Sequence, residues 1–566
     1  MGKLTMMIKL MNMTIFYSNF HTWRNVLFAL LALNLFVRCD NSVGGISEDP
    51  YAGGKEPLGI KLDNELPSPE SGIPGTEVTF KATGLLNWCN PDSDRYDFDF
   101  YINNEKVEIL TATDSSIIVR IPQAISSGIS EIQLQDQVFF GPRFTVEGNV
   151  SIDSYYGLQT GTNGSIYDCL SHSNGGQFLV GDFYSVENSY MEDDKYYDGI
   201  VLITSEGSIV TSTSLYNTDG VGLSGTLMSI NRFSDGKMLV SGLFSSYGDK
   251  SANSIALIDS AASINTKVVD LLNNTGNADY DTATVSSFNG GVLEDETILK
   301  SFVTSDDQVI AVGNMTTYKS ADYDNSTYSQ TQYNYTKVHS IMRMDENGKL
   351  DSTYHLGTDA TGASGTINDA CIDEDDGVIV VGDFNSFDGK NANGIVRINA
   401  NGNVDMGFLS NIETGANGRV SLIRYNKNFR KAMIVGNFTE FNGKTCKGVA
   451  MINADGSMDS RFELKELAGG NANFSCLLNT DKVIVSGTFD EYDGVRRSGF
   501  LILNANGDVE QDFNVPGTFA GQIYKVVETS SAEGFYALLL MGNITRFDDQ
   551  KVGNIVRVVV KNVDSN

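Results

Sequence analysis

Three histidines, His172, His339 and His355, lie beyond the N-terminal segment. The sequence sets no Ser/His/Asp arrangement, phosphate-cradling glycine loop or histidine-rich metal set around them. Asp383, Asn437 and Asn543 fall at one recurring position, where turn formation explains them better than catalysis. Carboxylate pairs for glycoside hydrolysis are defined by a three-dimensional separation, and with 71 acidic residues such a pair would prove little. Two acidic turns, Glu374-Asp375-Asp376-Gly377 and Glu192-Asp193-Asp194, carry the oxygen ligands that calcium takes. Solvated turns account for them more simply, so no catalytic residue, metal or cofactor is expected. The residues that stand out are aromatic. Tyr184, Tyr190, Tyr196 and Tyr197 crowd one polar stretch, and Tyr318, Tyr323, Tyr328, Tyr333 and Tyr335 crowd another among Asn, Ser, Thr and Gln. Tyrosine-rich polar loops offer large contact area at low entropy cost; covering a sheet edge, or fraying in solvent, explains them equally well. Trp88 lies in the loop Asn87-Trp88-Cys89-Asn90, where exposure would let it stack on a sugar or a protein partner and burial would place it in a small core.

The elements behind these residues are copies of one unit. Val378-Ile379-Val380-Val381-Gly382-Asp383-Phe384 reads as a short apolar strand ending at glycine; a turn, a second strand and the Asn401-Gly402 hairpin follow. The same mark recurs at Gly181, Gly242, Gly313, Gly436, Gly487 and Gly542. Seven short-stranded copies at this spacing predict a β-propeller rather than a solenoid. The glycine is read as permitting a close backbone approach or a bulge. The residue two places on (Phe183, Phe244, Met315, Phe384, Phe438, Phe489, Ile544) is read as packing between blades. These marks resemble the delta-type propeller repeats of secreted bacterial proteins, most clearly in the last four copies. Both tyrosine-rich inserts, in the first and third copies, then join the second and third strands of a blade and emerge on one face.

Ring closure is also written in the chain. Complete copies are read as ending in a fourth strand, as at residues 349–354 and 457–462, whereas the seventh stops at Val558-Val559-Val560. Ahead of the first copy stands Ser151-Ile152-Asp153-Ser154-Tyr155, the same strand displaced. The expectation is that Ser151 to Tyr155 close the seven-bladed ring beside residues 554–560, hiding an edge. Of the cysteines, Cys169, Cys371 and Cys476 are read as one repeat position filled by core packing.

The charge is −31, with 71 acidic against 40 basic residues, which disfavours nucleic acid and anionic lipid as partners. Residues 1–25 are basic, and the apolar run over residues 26–37 is short for a membrane span, a signal-peptide layout. Phe36-Val37-Arg38-Cys39 resembles a bacterial lipoprotein signal, which implies lipidation at Cys39, although Arg38 departs from the usual pattern; plain secretion or a short membrane anchor is the alternative. The predicted organisation is a signal peptide over residues 1–38, a flexible tether over 39–62, an immunoglobulin-like domain over 63–148 and the propeller over 149–566. The second domain, with alternation after Pro67-Ser68-Pro69 and a strand closing at Ile121-Pro122, resembles the IPT/TIG family. The fold class is therefore all-β, a small sandwich followed by a propeller.

The whole layout resembles the accessory surface lipoproteins of starch-utilisation-type outer-membrane uptake systems. The resemblance implies a non-enzymatic, lipid-anchored protein at the outer surface of a Gram-negative cell. Such a protein binds a nutrient polymer, glycan or peptide, or docks on a β-barrel transporter and its companion lipoproteins. A propeller glycoside hydrolase or lyase and a surface adhesin are the other classes considered.

Overall fold

The structure, a computed structural model, describes residues 58–89, 96–187, 196–217, 222–273 and 276–562. The signal peptide, Cys39 and nearly all of the tether therefore lie outside the described residues. The first domain is a sandwich in which Glu77–Thr83 alternates exposed and buried side chains, as a half-buried strand must. Phe80, Phe100 and Phe144 meet in its core, with ring centroids 4.9 and 6.4 Å apart. Glu105–Ala112 pairs with Asp99–Ile102 on one side and Ser116–Arg120 on the other, its register shifting between Ile109 and Thr111. Two short strands flank the domain: Lys61–Leu62 runs antiparallel to Glu77–Thr83, and Ser71–Gly72 runs parallel to Gln137–Val146. The sandwich thus takes in residues from the end of the predicted tether.

Seven propeller-type sheets follow. In repeats two to six the three-stranded order is inner, middle, outer, as in Thr366–Ile372, Val378–Asp383 and Ile395–Ile398 of the fourth repeat. The middle strands are apolar on both faces because each face meets a different neighbour. Leu538 and Leu540 pack towards the sixth repeat, while Leu539 and Met541 pack towards the first. That contact between seventh and first repeats closes the ring.

The recurring glycine has a physical cause. In every repeat the inner strand carries a register shift opposite it, as between Ile367 and Asp369. A Cβ on Gly382 would lie 2.2 Å from the Thr366 carbonyl oxygen, and one on Gly181 1.9 Å from that of Ser165. Bulge and close approach are one feature. The residue two places on is buried in all seven repeats.

The closing strand exists but is shorter than expected. It is Val150–Ile152, antiparallel to Ile555–Val560, with Ile152 opposite Val558. Asp153 ends it: its N–H donates to the Arg557 carbonyl, and its carboxylate takes the Tyr155 N–H and pairs with the Arg557 guanidinium at 2.8 Å. Tyr155 is therefore outside the strand and exposed. At residues 349–354 and 457–462 the expected fourth strands shrink to single bridges at Leu350 and Met458, each followed by an aspartate turn, Asp351 taking the Thr353 N–H and Asp459 the Arg461 N–H. Asp351 with Arg343, and Asp405 with Arg397, repeat the turn and the ion pair. Three residues beyond Asp153 and Asp351 a buried tyrosine lies under the arginine, Tyr156 under Arg557 and Tyr354 under Arg343, 4.5 and 4.6 Å from guanidinium to ring centre.

The cysteine reading needs one correction. Cys371 and Cys476 share a register, opposite Ile379 and Ile484, but Cys169 lies one residue earlier relative to its glycine and so faces the other way. All five described cysteines are free. Burial pushes the Cys169 and Cys476 thiols up to about 12, which leaves them unreactive at neutral pH.

The sandwich is fastened to the sixth and seventh repeats. Arg143 pairs with Asp548 at 2.6 Å and Asp549 at 3.1 Å, the Ser127 N–H donates to the Val515 carbonyl, and the Arg496 N–H donates to Glu105. A Cβ at Gly148 would meet Val515 at 2.5 Å, so the chain crosses between domains at a point with no room for a side chain.

Candidate functional site

Between its middle and outer strands each regular repeat makes a hairpin of two-residue strands, such as Ser386–Phe387 with Lys390–Asn391. Its aromatic residue (Tyr247, Phe387, Phe441, Tyr492, Phe547) is almost wholly buried. The third repeat uses the same connection, and Tyr318 takes the aromatic place, its hydroxyl donating to the Gly348 carbonyl at 2.6 Å. Beyond that point it is extended into a long hairpin, Thr317–Thr327 with Gln330–Lys337. Asn289 clamps its base, exchanging hydrogen bonds of 2.8 and 2.9 Å with the Ala321 backbone. The predicted insert is therefore ordered strand whose root covers the edge of the third repeat.

A second hairpin, Thr266–Asp270 with Thr282–Ser286, arises between the second and third repeats and leans on the first. The Leu272 N–H donates to the Ser326 carbonyl at 2.8 Å, and Tyr280 packs on Tyr328 with centroids 4.6 Å apart. The register shift between Asp322 and Thr327 pushes Ser326 toward this neighbour. Sequence reasoning missed the second hairpin. The alternation of Thr266-Lys267-Val268-Val269-Asp270 was the available signal, hidden inside one of the longest intervals between repeat glycines.

At the foot of the two hairpins lies a groove of about 260 Å³. Tyr323 and Tyr333 form one wall; Asn253, Ser286 and Asn289 are among the polar residues opposite, with the Asp249–Lys250 pair at the edge. Both tyrosines are half-buried, and burial, reinforced by Tyr333, pushes the Tyr323 hydroxyl up. Lys319 lies over the Tyr333 ring, 4.3 Å from its centre. The Ser286 hydroxyl is buried with no hydrogen-bond partner.

The other predicted residues divide. Tyr328 and Tyr335 are exposed on the long hairpin, at 59% each. Tyr184 and Tyr196 form a separate exposed pair in the first repeat, edge to face at 6.3 Å. Tyr197 is not a surface residue: successive side chains of Tyr196–Ile203 point to opposite faces, and Tyr197 packs in the core between the seventh and first repeats. Trp88, in a short 3-10 turn, is half-buried. Tyr190 and the acidic run 192–194 lie outside the described residues. In the other acidic turn Glu374 pairs with Arg430 at 2.6 Å and Asp376 accepts the Ser305 N–H at 3.1 Å, so protein groups already use these carboxylates. Buried His355 bonds Asp388 at 3.0 Å, and the same Asp388 takes the Gly362 N–H, a loop-closing arrangement.

Residues 35–142 match a domain of unknown function (DUF5008), and residues 146–240 match another (DUF5124). Four segments, 234–263, 374–408, 431–462 and 479–513, match the domain of unknown function (DUF5122) beta-propeller. They fall on the second, fourth, fifth and sixth repeats, four of the five with short hairpins. None of the curated proteins matches the chain. Among solved structures, an auxiliary nutrient binding protein from Bacteroides ovatus is similar at 12% identity and a TM-score of 0.31, covering 88% of this chain and 98% of its own. Another from Bacteroides thetaiotaomicron is similar at 8% identity and 0.31, covering 88% and 97%. YCF48 bound to D1 peptide is similar at 10% and 0.35, covering 73% and 97%.

Proposed function

We propose that this chain is a non-enzymatic binding protein of the cell surface that holds a nutrient glycan in the groove beside Tyr323 and Tyr333. The groove carries the reading. Aromatic walls suit the C–H faces of a sugar, and the polar residues that also line the groove, Asn253, Asn289 and the Asp249–Lys250 pair among them, suit its hydroxyls. The cavity has room for about one sugar unit; a longer chain would continue over exposed Tyr328 and Tyr335. Lipidation at Cys39 would hold the protein at the outer membrane of a Gram-negative cell, with the IPT/TIG-like sandwich as a fixed spacer.

Affinity electrophoresis through gels containing soluble polysaccharides tests the reading. The wild type should be retarded by at least one polysaccharide, and the Tyr323→Ala/Tyr333→Ala double variant should lose the retardation. Equal mobility of the two proteins in every gel would remove the groove as the site. For the anchor, Cys39→Ser should release the protein from the outer membrane after a high-salt wash, because the acyl chains supply the affinity; retention would refute it.

A second reading rests on Val268, Leu272, Tyr328 and Tyr335, which expose apolar surface on the same hairpin pair. That surface would suit docking on an outer-membrane β-barrel transporter or its companion lipoprotein. Co-purification of such proteins from solubilised outer membrane, lost on Val268→Ser/Leu272→Ser, would favour it.

A further inference from the structure

The inner strands surround a central cavity of about 580 Å³. Its charged groups come from several repeats. Asp168 of the first pairs with Lys525 of the seventh at 2.8 Å. Asp369 of the fourth pairs with Arg424 of the fifth, and Arg424 reaches across to the Tyr524 carbonyl at 2.7 Å. Further out, Glu528 accepts the Asn479 N–H and the Tyr536 hydroxyl. Lys300 of the third repeat also lines the cavity, yet among the described residues its ammonium makes no ion pair and no hydrogen bond. With Lys427 at the rim, four cations (Lys300, Arg424, Lys427, Lys525) stand against three carboxylates (Asp168, Asp369, Glu528). In a chain whose net charge is −31, this is a local excess of positive charge.

Lys300 is half-buried and its ammonium opens on the cavity, where a ligand anion could take the place of water beside it. Asp168 and Asp369 attract Lys300 from a distance, but each is already engaged by a shorter contact, and burial drives the lysine's pKa below its usual value. The rest of the wall is rich in hydrogen-bonding groups, Asn231, Ser229 and Tyr425 among them, so a ligand with hydroxyls as well as one negative charge suits the surroundings. We propose that the channel is a binding site for a small carboxylate-bearing sugar, with the ligand carboxylate ion-paired to Lys300. The site shares no residue with the groove at Tyr323 and Tyr333, so the two assignments stand or fall separately.

Isothermal titration of the full chain with glucuronate, and with glucose as the uncharged control, tests this. Glucuronate should bind and glucose should not. Lys300→Met and Lys300→Gln should each weaken glucuronate binding at least about tenfold, the size of one charge-assisted hydrogen bond. Neither variant should shift the melting temperature by more than about 2 °C, since the Lys300 ammonium makes no ion pair or hydrogen bond among the described residues. Tyr323→Ala/Tyr333→Ala should bind glucuronate as the wild type does. Absence of glucuronate binding, equal binding of glucose, or unchanged affinity in both Lys300 variants would overturn the proposal.

Discussion

The connection after the middle strand is built in two ways, and the contrast separates scaffold from function. In the fourth repeat it is four paired residues around Asp388-Gly389, and its one large side chain, Phe387, is fully buried. In the third it begins identically at Tyr318 and then continues through Thr327 and back from Gln330. All that lies beyond Lys319 is additional to what a blade needs. The added part holds two half-buried tyrosines, two exposed ones and a neighbouring hairpin that no other repeat shows among the described residues. A propeller keeps its ring by repetition and acquires a surface where repetition stops.

The largest losses are expected in the scaffold. Phe387→Ala or Phe441→Ala should cost about 3–5 kcal/mol, the loss typical of a buried phenylalanine, read as a lower denaturant midpoint. Asp153→Ala should cost about 1–3 kcal/mol, because it leaves the buried Nε–H of Arg557 unpaired in the closing repeat while Glu206 still pairs with the guanidinium. A smaller effect is expected in acid. Burial opposes ionisation of Asp168, but Lys525, aided by Lys300, holds its pKa down to about 2. Its folded value is below the ordinary 3.8, so its contribution is present above pH 3.8 and lost as pH falls through about 2. Asp168→Asn should flatten that part of the stability profile; an unchanged slope would mean the pair is not formed. Smallest of all, Tyr335→Ala on the exposed hairpin should shift stability by no more than about 0.5 kcal/mol.

Much of the ring was legible because its constraints are local. The glycine that faces a carbonyl, the aromatic two residues on and the Ile152-Asp153 displacement all follow from one backbone geometry repeated, and that leaves a periodic trace. The fourth strands at 349–354 and 457–462 were misjudged because the signature there belongs to a turn, an aspartate that bonds the chain two residues ahead and pairs with a nearby cation, Arg343 for Asp351 and Lys431 for Asp459; the first repeat does carry a fourth strand, Ile209–Asn217. Tyr197 was misplaced because a run of tyrosines does not say which one faces inward; strand alternation decided that. The groove was half legible. Tyr323 and Tyr333 announced themselves by composition, but Asn253, Ser286 and Asn289 reach it from distant segments and have no common motif. Lys300 was invisible for the same reason, since an unpaired charge is a property of what surrounds it.

The central claim is that the surface beyond Lys319 binds the glycan and that the third repeat folds without it. It is tested most directly by replacing residues 322–332 with Asn-Gly, which keeps the Ala321–Tyr333 pair and the Asn289 clamp and gives the hairpin a two-residue turn. Melting temperature and polysaccharide retardation are then measured on the same preparation. The account predicts a melting temperature within about 2 °C of the parent, since little buried surface is removed, together with loss of the parent's retardation. A shortened chain still retarded like its parent, or one that no longer folds, would contradict it.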